Sequence, residues 1–225
     1  MREVVLDTET TGLDPAKGDR IVEIGCIELM HLVPTGRQFH EYINPERPMS
    51  AEAESVHGLD DKFLADKPVF AAVAGPFLDF IGDAPLIIHN AGFDLAFLNA
   101  ELARLDLPPI AKGRAVDTLA MARQRYPGAQ ANLDALCARF GIDCTRRTLH
   151  GALLDSFLLA EVYLELRGGR QPGLVLDTAL ATAAARAAVS RPYREPRPHQ
   201  PSVEELAAHE AFLETLKNPI WRQVE

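Results

Sequence analysis

Cysteine and long hydrophobic runs are scarce in this sequence, and their scarcity excludes two classes of protein. The three cysteines, Cys26, Cys137 and Cys144, are odd in number and lack the spacing of metal ligands, so we expect reduced thiols rather than a disulfide framework. The sequence has neither a run of about 18 apolar residues nor a basic-then-apolar leader, so we expect neither a membrane span nor a secretory signal. These absences predict a cytoplasmic protein.

Positive charge is also in short supply. The chain has 23 Lys and Arg residues against 32 Asp and Glu residues, which gives a net charge of −9. Proteins that bind duplex nucleic acid without sequence preference are usually basic, because neutralisation of phosphates drives their affinity. We therefore expect weak binding to nucleic acid by the chain alone, and a stand-alone nucleic-acid-binding module is disfavoured.

Acidic residues are abundant, and four of them form the most informative pattern together with one histidine. Three segments carry them: VVLDTETTG (4–12), IIHNAGFDLAFLN (87–99) and LHGALLDS (149–156). The five residues are Asp7, Glu9, Asp94, His150 and Asp155. Four carboxylates that meet in a fold repel one another unless cations bring them together. Ligands that are all oxygen favour hard ions such as Mg²⁺ or Mn²⁺.

The local patterns place the first three acids on suitable elements. Val4 to Leu6 is a short aliphatic run that predicts a buried strand. Side chains alternate along a strand, so Asp7 and Glu9 should project to the same side, about 6–7 Å apart. A second strand at 86–88 is followed by a helical pattern, and Asp94 would lie in the first turn of that helix, where the helix dipole favours negative charge.

The third segment allows a sharper inference. His150 and Asp155 are five residues apart, so an ideal helix would separate them by about 140°. The simplest solution places His150 on the loop that enters the helix and Asp155 one turn inside it. A histidine on such a loop is better placed as a general base than as a rigid metal ligand.

The motifs DTETTG, HNAGFD and HGALLD, in this order, resemble those of the DEDDh group of 3′→5′ exonucleases. The resemblance covers residues 1–166, and the segments IVEIGCIEL, INPERPMSAEAESVHGL and AVDTLAMAR agree with it. Within the group the chain is most similar to the epsilon family, the proofreading subunits of bacterial DNA polymerase III.

The resemblance implies a metal-dependent 3′→5′ exonuclease. It implies two divalent cations, Mg²⁺ or Mn²⁺, which clamp the scissile phosphate. Asp7 would bridge both ions, Glu9 and Asp155 would serve the ion on the nucleophile side, and Asp94 would act on the other ion or through water. His150 would take the proton of the attacking water. The expected substrate contacts are Thr8, Glu9, His57 and Asn90.

Several of these residues have a second interpretation. His57 matches the substrate-pocket histidine of the family, and it could equally be a turn residue before Gly58. Asn90 could orient substrate or simply end a strand. His89 and Asp117 are interpreted as structural residues.

The chain separates into three parts. Residues 1–167 predict an α/β domain with a mixed sheet, for which the resemblance implies a ribonuclease H-like fold. Within it we predict strands at 21–29 and 37–43. The predicted helices are 69–81, 93–105, 118–125, 132–140 and 152–166. Residues 168–201 predict a linker with a transient helix in the Ala-rich stretch 179–188, and residues 202–225 predict a capped helix that ends at Asn218-Pro219.

The last two parts predict partner binding. The capped helix in residues 202–225 could fold back on the first domain, but the long linker before it favours binding to a partner protein. The resemblance implies that this partner is the alpha subunit of DNA polymerase III. Its expected contacts are Phe212, Leu213, Leu216 and Trp221. The peptide QPGLVL (171–176) is similar to a sliding-clamp-binding motif, with Gln171, Leu174 and Leu176 as its contacts.

Two alternative functions remain at this point. One is a DEDDh ribonuclease or oligoribonuclease that trims RNA 3′ ends, and the linker and tail disfavour it, because a free-standing enzyme does not need them. The other is a mainly structural bridge between polymerase and clamp, and the complete set of acidic residues disfavours it.

Overall fold

The computed structural model describes residues 1–145, 149–169 and 200–222. The chain divides into two units, residues Met1–Leu174 and Val175–Glu225, and each is described by itself. Among the described helices, none is both long enough and apolar enough to cross a membrane. The predicted clamp-binding peptide with Gln171, Leu174 and Leu176 lies outside the described residues, as does the Ala-rich stretch 179–188.

A five-stranded mixed sheet organises the first unit, with the strand order β3-β2-β1-β4-β5. The strands are β1 (Arg2–Thr10), β2 (Ile21–Met30), β3 (Val33–Tyr42), β4 (Leu86–Ile88) and β5 (Ala115–Asp117). β1, β2 and β3 pair antiparallel, whereas β1, β4 and β5 run parallel. The carboxyl ends of these three parallel strands therefore lie at the same end of the sheet, which is where α/β folds bind their ligands.

Seven helices belong to this unit as the structure describes it. They are α1 (Ala51–His57), α2 (Asp61–Leu64), α3 (Phe70–Ile81), α4 (Ala91–Arg104), α5 (Thr118–Arg125), α6 (Leu133–Phe140) and α7 (Ala152–Leu166). Both faces of the sheet are covered: Val4 and Leu6 pack in the cluster that contains Phe77 and Phe97, whereas Val5 packs in the cluster that contains Leu159. The alternation along β1 explains why its aliphatic residues are all buried.

The predicted fold class is confirmed, and several bounds need correction. β3 begins at Val33, four residues before the predicted Arg37. Pro34 and Gly36 argue against a strand, but β3 is an edge strand, where proline is tolerated. A two-residue turn with positive φ at His31 (52°) and Leu32 (69°) joins it to β2, as in a tight hairpin.

Two short helices were not predicted, and one helix begins earlier than expected. α1 and α2 have only 7 and 4 residues, which is too short for a periodic pattern, although Ser50 and Asp60 cap them as typical N-cap residues do. α4 begins at Ala91 rather than Phe93, because a turn of only two residues, His89 and Asn90, separates it from β4. Asn90 reverses the chain with a left-handed φ of 64°.

In the second unit, α8 (Val203–Thr215) begins with the predicted capping box of Ser202 and Glu205. The helix ends at Thr215, three residues before the predicted Asn218. A proline disfavours the right-handed helical conformation in the residue before it, and Asn218 adopts a left-handed φ of 55°. Leu213 is buried, whereas Phe212, Leu216 and Trp221 are exposed.

Candidate active site and metal centre

β1 supplies the first two carboxylates of the site. Asp7 pairs with Gly25 of β2 and Glu9 pairs with Glu23, so both acids project from the same face of the sheet, as predicted. Glu9 is buried and Asp7 is partly buried. Two carboxylates therefore lie at the carboxyl ends of the parallel strands.

Asp94 reaches the carboxyl ends of the same strands from the other face of the sheet. It lies in the first turn of α4, as predicted, and is buried. Oδ1 of Asp94 accepts a hydrogen bond of 2.7 Å from the hydroxyl of Thr8, which fixes the carboxylate beside β1. Thr8 was predicted as a substrate contact, and that role stays a prediction beside the positioning role that this hydrogen bond gives it.

His150 and Asp155 adopt the predicted arrangement at the start of α7. Gly151 is the N-cap residue, Asp155 lies in the first turn and His150 lies on the loop before it. Nδ1 of His150 is 3.3 Å from Oδ2 of Asp155. Asp155 is buried, while 45% of the His150 side chain is exposed.

The close approach of α7 to the sheet places Asp155 beside β1. A Cβ atom at Gly25 would overlap with the backbone of Ala152 and Leu153. The hydroxyl of Ser156 also donates a hydrogen bond of 2.9 Å to the carbonyl oxygen of Gly25. Only glycine at position 25 lets the first turn of α7 lie against β2 beside Asp7.

All five residues line one cleft of about 390 Å³. The other residues of its lining are Thr8, His89, Asn90, Phe93, Asn132, Leu133 and Asp134. The structure thus brings together three segments that are up to about 150 residues apart in the sequence.

The electrostatics of the cleft favour a bound cation. Burial raises the pKa of Asp7 well above its usual value, and the nearby charges of Asp94, Glu9, Asp155 and Glu23 raise it further. Burial raises the pKa of Asp94 to about 7, while the hydrogen bond from Thr8 opposes that rise. A divalent cation would relieve this repulsion, because it favours the ionised carboxylates.

The donor set fits a divalent metal ion. Single ligand atoms of Glu9, His150 and Asp155 all lie within 4.8 Å of one another. Carboxylate oxygens are the ligands that Mg²⁺ and Mn²⁺ prefer. His150 was predicted as a base and not as a ligand, and that role stays a prediction.

A second cleft of about 620 Å³ adjoins the first, since Thr8, Glu9 and Phe93 line both. His57 is buried in its wall. Nε2 of His57 lies 3.3 Å from the carbonyl oxygen of Thr10, and Nδ1 accepts a hydrogen bond from the Leu59 N–H at 3.1 Å. Because Nδ1 accepts this hydrogen bond, the ring proton lies on Nε2, which faces the Thr10 carbonyl oxygen. Burial lowers the pKa of His57.

The remaining candidates divide between the cleft and its support. Asn90 is exposed in the lining of the first cleft, and its N–H donates a hydrogen bond of 3.1 Å to Asp117. Asp117 also caps α5, which fits its predicted structural role. His89 lines the cleft and bonds the Thr118 hydroxyl at 2.9 Å. Phe93, in both clefts, was not predicted as a site residue, although it precedes Asp94 in the HNAGFD motif.

Comparison with known proteins places this fold and site in one class. Residues 4–163 match the exonuclease family RNase_T. The structure is similar to the nuclease domain of 3′hExo, a DEDDh family member bound to rAMP, with a TM-score of 0.64, 22% identity and coverage of 73% of this chain and 90% of that one. It is also similar to Exonuclease X in complex with 5′ overhanging duplex DNA, with a TM-score of 0.58, 26% identity and the same coverage of both chains.

Two relatives extend the similarity beyond the exonuclease domain. The DNA polymerase III subunit epsilon of Rickettsia felis is 50% identical over 222 residues, which cover 96% of this chain and 97% of that protein. The subunit of the same name from Escherichia coli K12 is 42% identical, over 98% and 97% of the two chains. The chain therefore belongs to the exonuclease family, in its DNA polymerase III epsilon branch.

Proposed function

We propose that the protein is a metal-dependent 3′→5′ exodeoxyribonuclease that removes mispaired nucleotides from DNA 3′ ends within a bacterial replicase in the cytoplasm. The observation that carries the proposal is the convergence of Asp7, Glu9, Asp94, His150 and Asp155 on one cleft. The names of the two relatives support DNA, rather than RNA, as the substrate.

The four carboxylates would hold two Mg²⁺ or Mn²⁺ ions. Their oxygen donors suit these ions. Burial raises the pKa of Asp7 and of Asp94, and the neighbouring carboxylates raise that of Asp7 further, so bound cations would relieve both effects. When bound, such ions polarise the phosphate and lower the pKa of water.

His150 would take the proton of the attacking water. Its partly exposed side chain lets water reach the imidazole, and Oδ2 of Asp155 lies 3.3 Å from Nδ1. That carboxylate orients the ring and stabilises the imidazolium that forms, which leaves Nε2 to accept the proton. The base must therefore be neutral at the start of the reaction.

The second cleft would hold the terminal nucleotide. It adjoins the carboxylates through Thr8 and Glu9, and its wall contains His57. The neutral imidazole of His57 avoids an additional cation near the metals. Thr8, Glu9, His57 and Asn90 would contact the 3′ nucleotide, with Thr8 also holding Asp94.

The second unit would bind the alpha subunit of the polymerase through residues 202–225, with Phe212, Leu213, Leu216 and Trp221 as contacts. The alignment with the R. felis relative covers 222 residues, well beyond the exonuclease match that ends at residue 163. Phe212, Leu216 and Trp221 are exposed. We also propose that residues 171–176 bind the sliding clamp. A chain of net charge −9 gains local concentration at DNA from such tethers.

A side-by-side degradation assay tests the proposal. Labelled single-stranded DNA, paired and mispaired primer-templates, and RNA would be incubated with the full-length protein, with Mg²⁺ or with EDTA. We expect mononucleotides to be released from the 3′ end, fastest from single-stranded or mispaired DNA, because unstacking a paired end costs a few kcal/mol. Cleavage that starts at 5′ ends, or that is confined to RNA, would contradict the proposal.

A further inference from the structure

The loop that carries His150 rests on the end of α1, a helix that contains none of the five active-site residues. The N–H of His150 donates a hydrogen bond of 3.1 Å to the carbonyl oxygen of Val56. This bond joins segments that are more than 90 residues apart. The side chain of His150 is 45% exposed, so surrounding side chains restrain it only in part. The position of its backbone therefore strongly affects where the imidazole lies.

Leu149 and Gly58 form a second contact between the same two segments. Gly58 caps α1 in a left-handed conformation, with a φ of 73°. A Cβ atom at Gly58 would lie 2.6 Å from Cδ1 of Leu149, so the leucine side chain sits where any other residue would place its first carbon. Half of Leu149 is exposed, which means that the contact contributes little to the core.

The end of α1 is itself fastened to the catalytic strand. His57 donates from Nε2 to the carbonyl oxygen of Thr10 at 3.3 Å, and its Nδ1 accepts from the Leu59 N–H at 3.1 Å. Thr10 is the last residue of β1, the strand that carries Asp7 and Glu9. A short path of contacts therefore runs from β1 through α1 to the loop of His150.

We propose that Gly58 and Leu149 are positioning residues for His150, which they hold in register with the carboxylates through the Val56 carbonyl group. This inference rests on the proposed role of His150 as the general base. Val56 and His57 also line the second cleft, so one segment supports the base and forms a wall of the proposed nucleotide pocket. Loss of the Leu149–Gly58 contact would misplace the base without removing any group that touches substrate.

Four single variants of the full-length protein test this proposal: Leu149→Ala, Leu149→Met, Gly58→Ala and the control Gly36→Ala. Gly36 has a similar left-handed φ of 88° with nothing within 4 Å of an added Cβ, so its variant carries the backbone strain alone. We expect Leu149→Ala and Gly58→Ala to lower kcat on single-stranded DNA by about 10- to 100-fold, because small displacements of catalytic groups cost this much. KM should change little, and Leu149→Met and Gly36→Ala should keep most of the activity.

A double-mutant cycle separates positioning from a general loss of structure. If Leu149 acts through His150, then adding Leu149→Ala to His150→Ala should lower kcat no further. Multiplicative losses in the double variant would overturn the proposal, and so would full kcat in Leu149→Ala. In both cases a low kcat for His150→Ala alone would leave the proposed function intact. Normal kcat for His150→Ala would instead overturn the role of His150 as the base and, with it, this inference.

Folding is checked on the same samples. Unfolding midpoints measured in EDTA should be close to the wild-type value for Leu149→Ala, because its side chain is half exposed. If Gly58→Ala does not fold, the comparison of Leu149→Ala with Leu149→Met decides the question alone. Equal kcat values for those two variants would overturn the proposal.

Discussion

The hydroxyl of Thr8 donates a 2.7 Å hydrogen bond to Oδ1 of Asp94 across 86 residues of sequence. This bond joins β1 to the first turn of α4, and it is buried. It also opposes the rise in the pKa of Asp94 that burial causes. Thr8 thus helps to keep ionised a carboxylate that would otherwise favour the protonated form near neutral pH.

Thr8→Val should reduce the affinity for the metal at neutral pH. Without the donor, the pKa of Asp94 rises further above about 7, so the ionised form that binds metal is reached only at higher pH. A hydrogen bond to a charged group contributes about 1.5–3 kcal/mol, so we expect the Mg²⁺ requirement to rise by about 10- to 100-fold. Thr8→Ser keeps the hydroxyl and should behave like the wild type in Mg²⁺ titrations between pH 7 and pH 9; equal effects of both substitutions would contradict this account.

Asp7→Ala should abolish exonuclease activity while the fold stays intact. Asp7 lies among four carboxylates, and its removal takes away a central metal ligand and relieves repulsion. The metal-free variant should therefore be at least as stable as the wild type. Activity with Mg²⁺ and the unfolding midpoint in EDTA measure the two effects, with Asp79→Ala, an exposed acid outside both clefts, as the control. Full activity in Asp7→Ala, or in excess EDTA, would refute the metal mechanism.

Stability of the metal-free protein should fall as the pH rises from about 4 to 7. In the folded chain the Asp94 carboxyl group keeps its proton up to a pKa of about 7, whereas the ordinary value is 3.8. The folded state therefore binds more protons in this window, and the free energy of unfolding decreases with pH, by up to about 4 kcal/mol. Urea unfolding in EDTA measures this slope.

Asp94→Asn is the matched variant for that slope. It should weaken the pH dependence without removing it, because the pKa of Asp7 is raised as well, and Mg²⁺ should restore stability to the wild type at the upper end of the window. His57 acts in the opposite direction, because burial lowers its pKa. The difference between wild type and variant cancels that contribution and reports on Asp94 together with its repulsion of Asp7. An unchanged slope in Asp94→Asn would show that this carboxyl group is not the cause.

His150→Ala should lower kcat by about 10²- to 10⁴-fold, which is the usual contribution of a general base, with a smaller effect on DNA binding. Values of kcat and of the DNA dissociation constant, measured for both proteins at saturating Mg²⁺, check this. A near-normal kcat would show that another group accepts the proton.

Catalysis and recruitment should be separable. A protein shortened after Arg167 keeps α7 and both clefts, so it should digest free single-stranded DNA at close to the full-length rate. It should not co-purify with the polymerase alpha subunit, because Phe212, Leu213, Leu216 and Trp221 are removed. Native affinity of the shortened protein for the polymerase would favour a tail that folds back on the first domain.

The clamp contact has its own variant. Changing Leu174 and Leu176 together to Ala should weaken binding to the sliding clamp and leave polymerase binding unchanged, because the two predicted docking segments are separate in the sequence. Binding of the full-length protein to each partner, measured separately, tests both statements. Equal clamp affinity in wild type and variant would exclude residues 171–176 as the contact.

Sequence patterns predicted the parts of the molecule that local physics determines. α5 and α7 begin and end as predicted, and the separation of His150 from Asp155 predicted that a helix begins between them. The motif residues could be assigned to one site because a shared metal is the usual reason for carboxylates to meet. The short helices α1 and α2 were missed, since seven and four residues carry no period.

Contacts that depend on tertiary packing were not accessible from the sequence. The Thr8–Asp94 bond and the approach of Ser156 to Gly25 join residues 86 and 131 positions apart. Phe93 looked like an apolar helix residue, and only the structure places it between two clefts. Nothing in the local pattern distinguishes Gly25 from any other small residue in a buried strand.

Gly25 has a consequence for genetics. A methyl group added at Gly25 would displace the start of α7, and Asp155 with it. The substitution would therefore lower activity as the loss of a catalytic acid does. If the protein proofreads, a cell with Gly25→Ala should accumulate replication errors although every active-site residue is present. Mutation rates measured for substitutions along the gene should then be raised at Gly25 as they are at the active-site aspartates. A classification based only on the catalytic side chains would call the Gly25→Ala allele harmless.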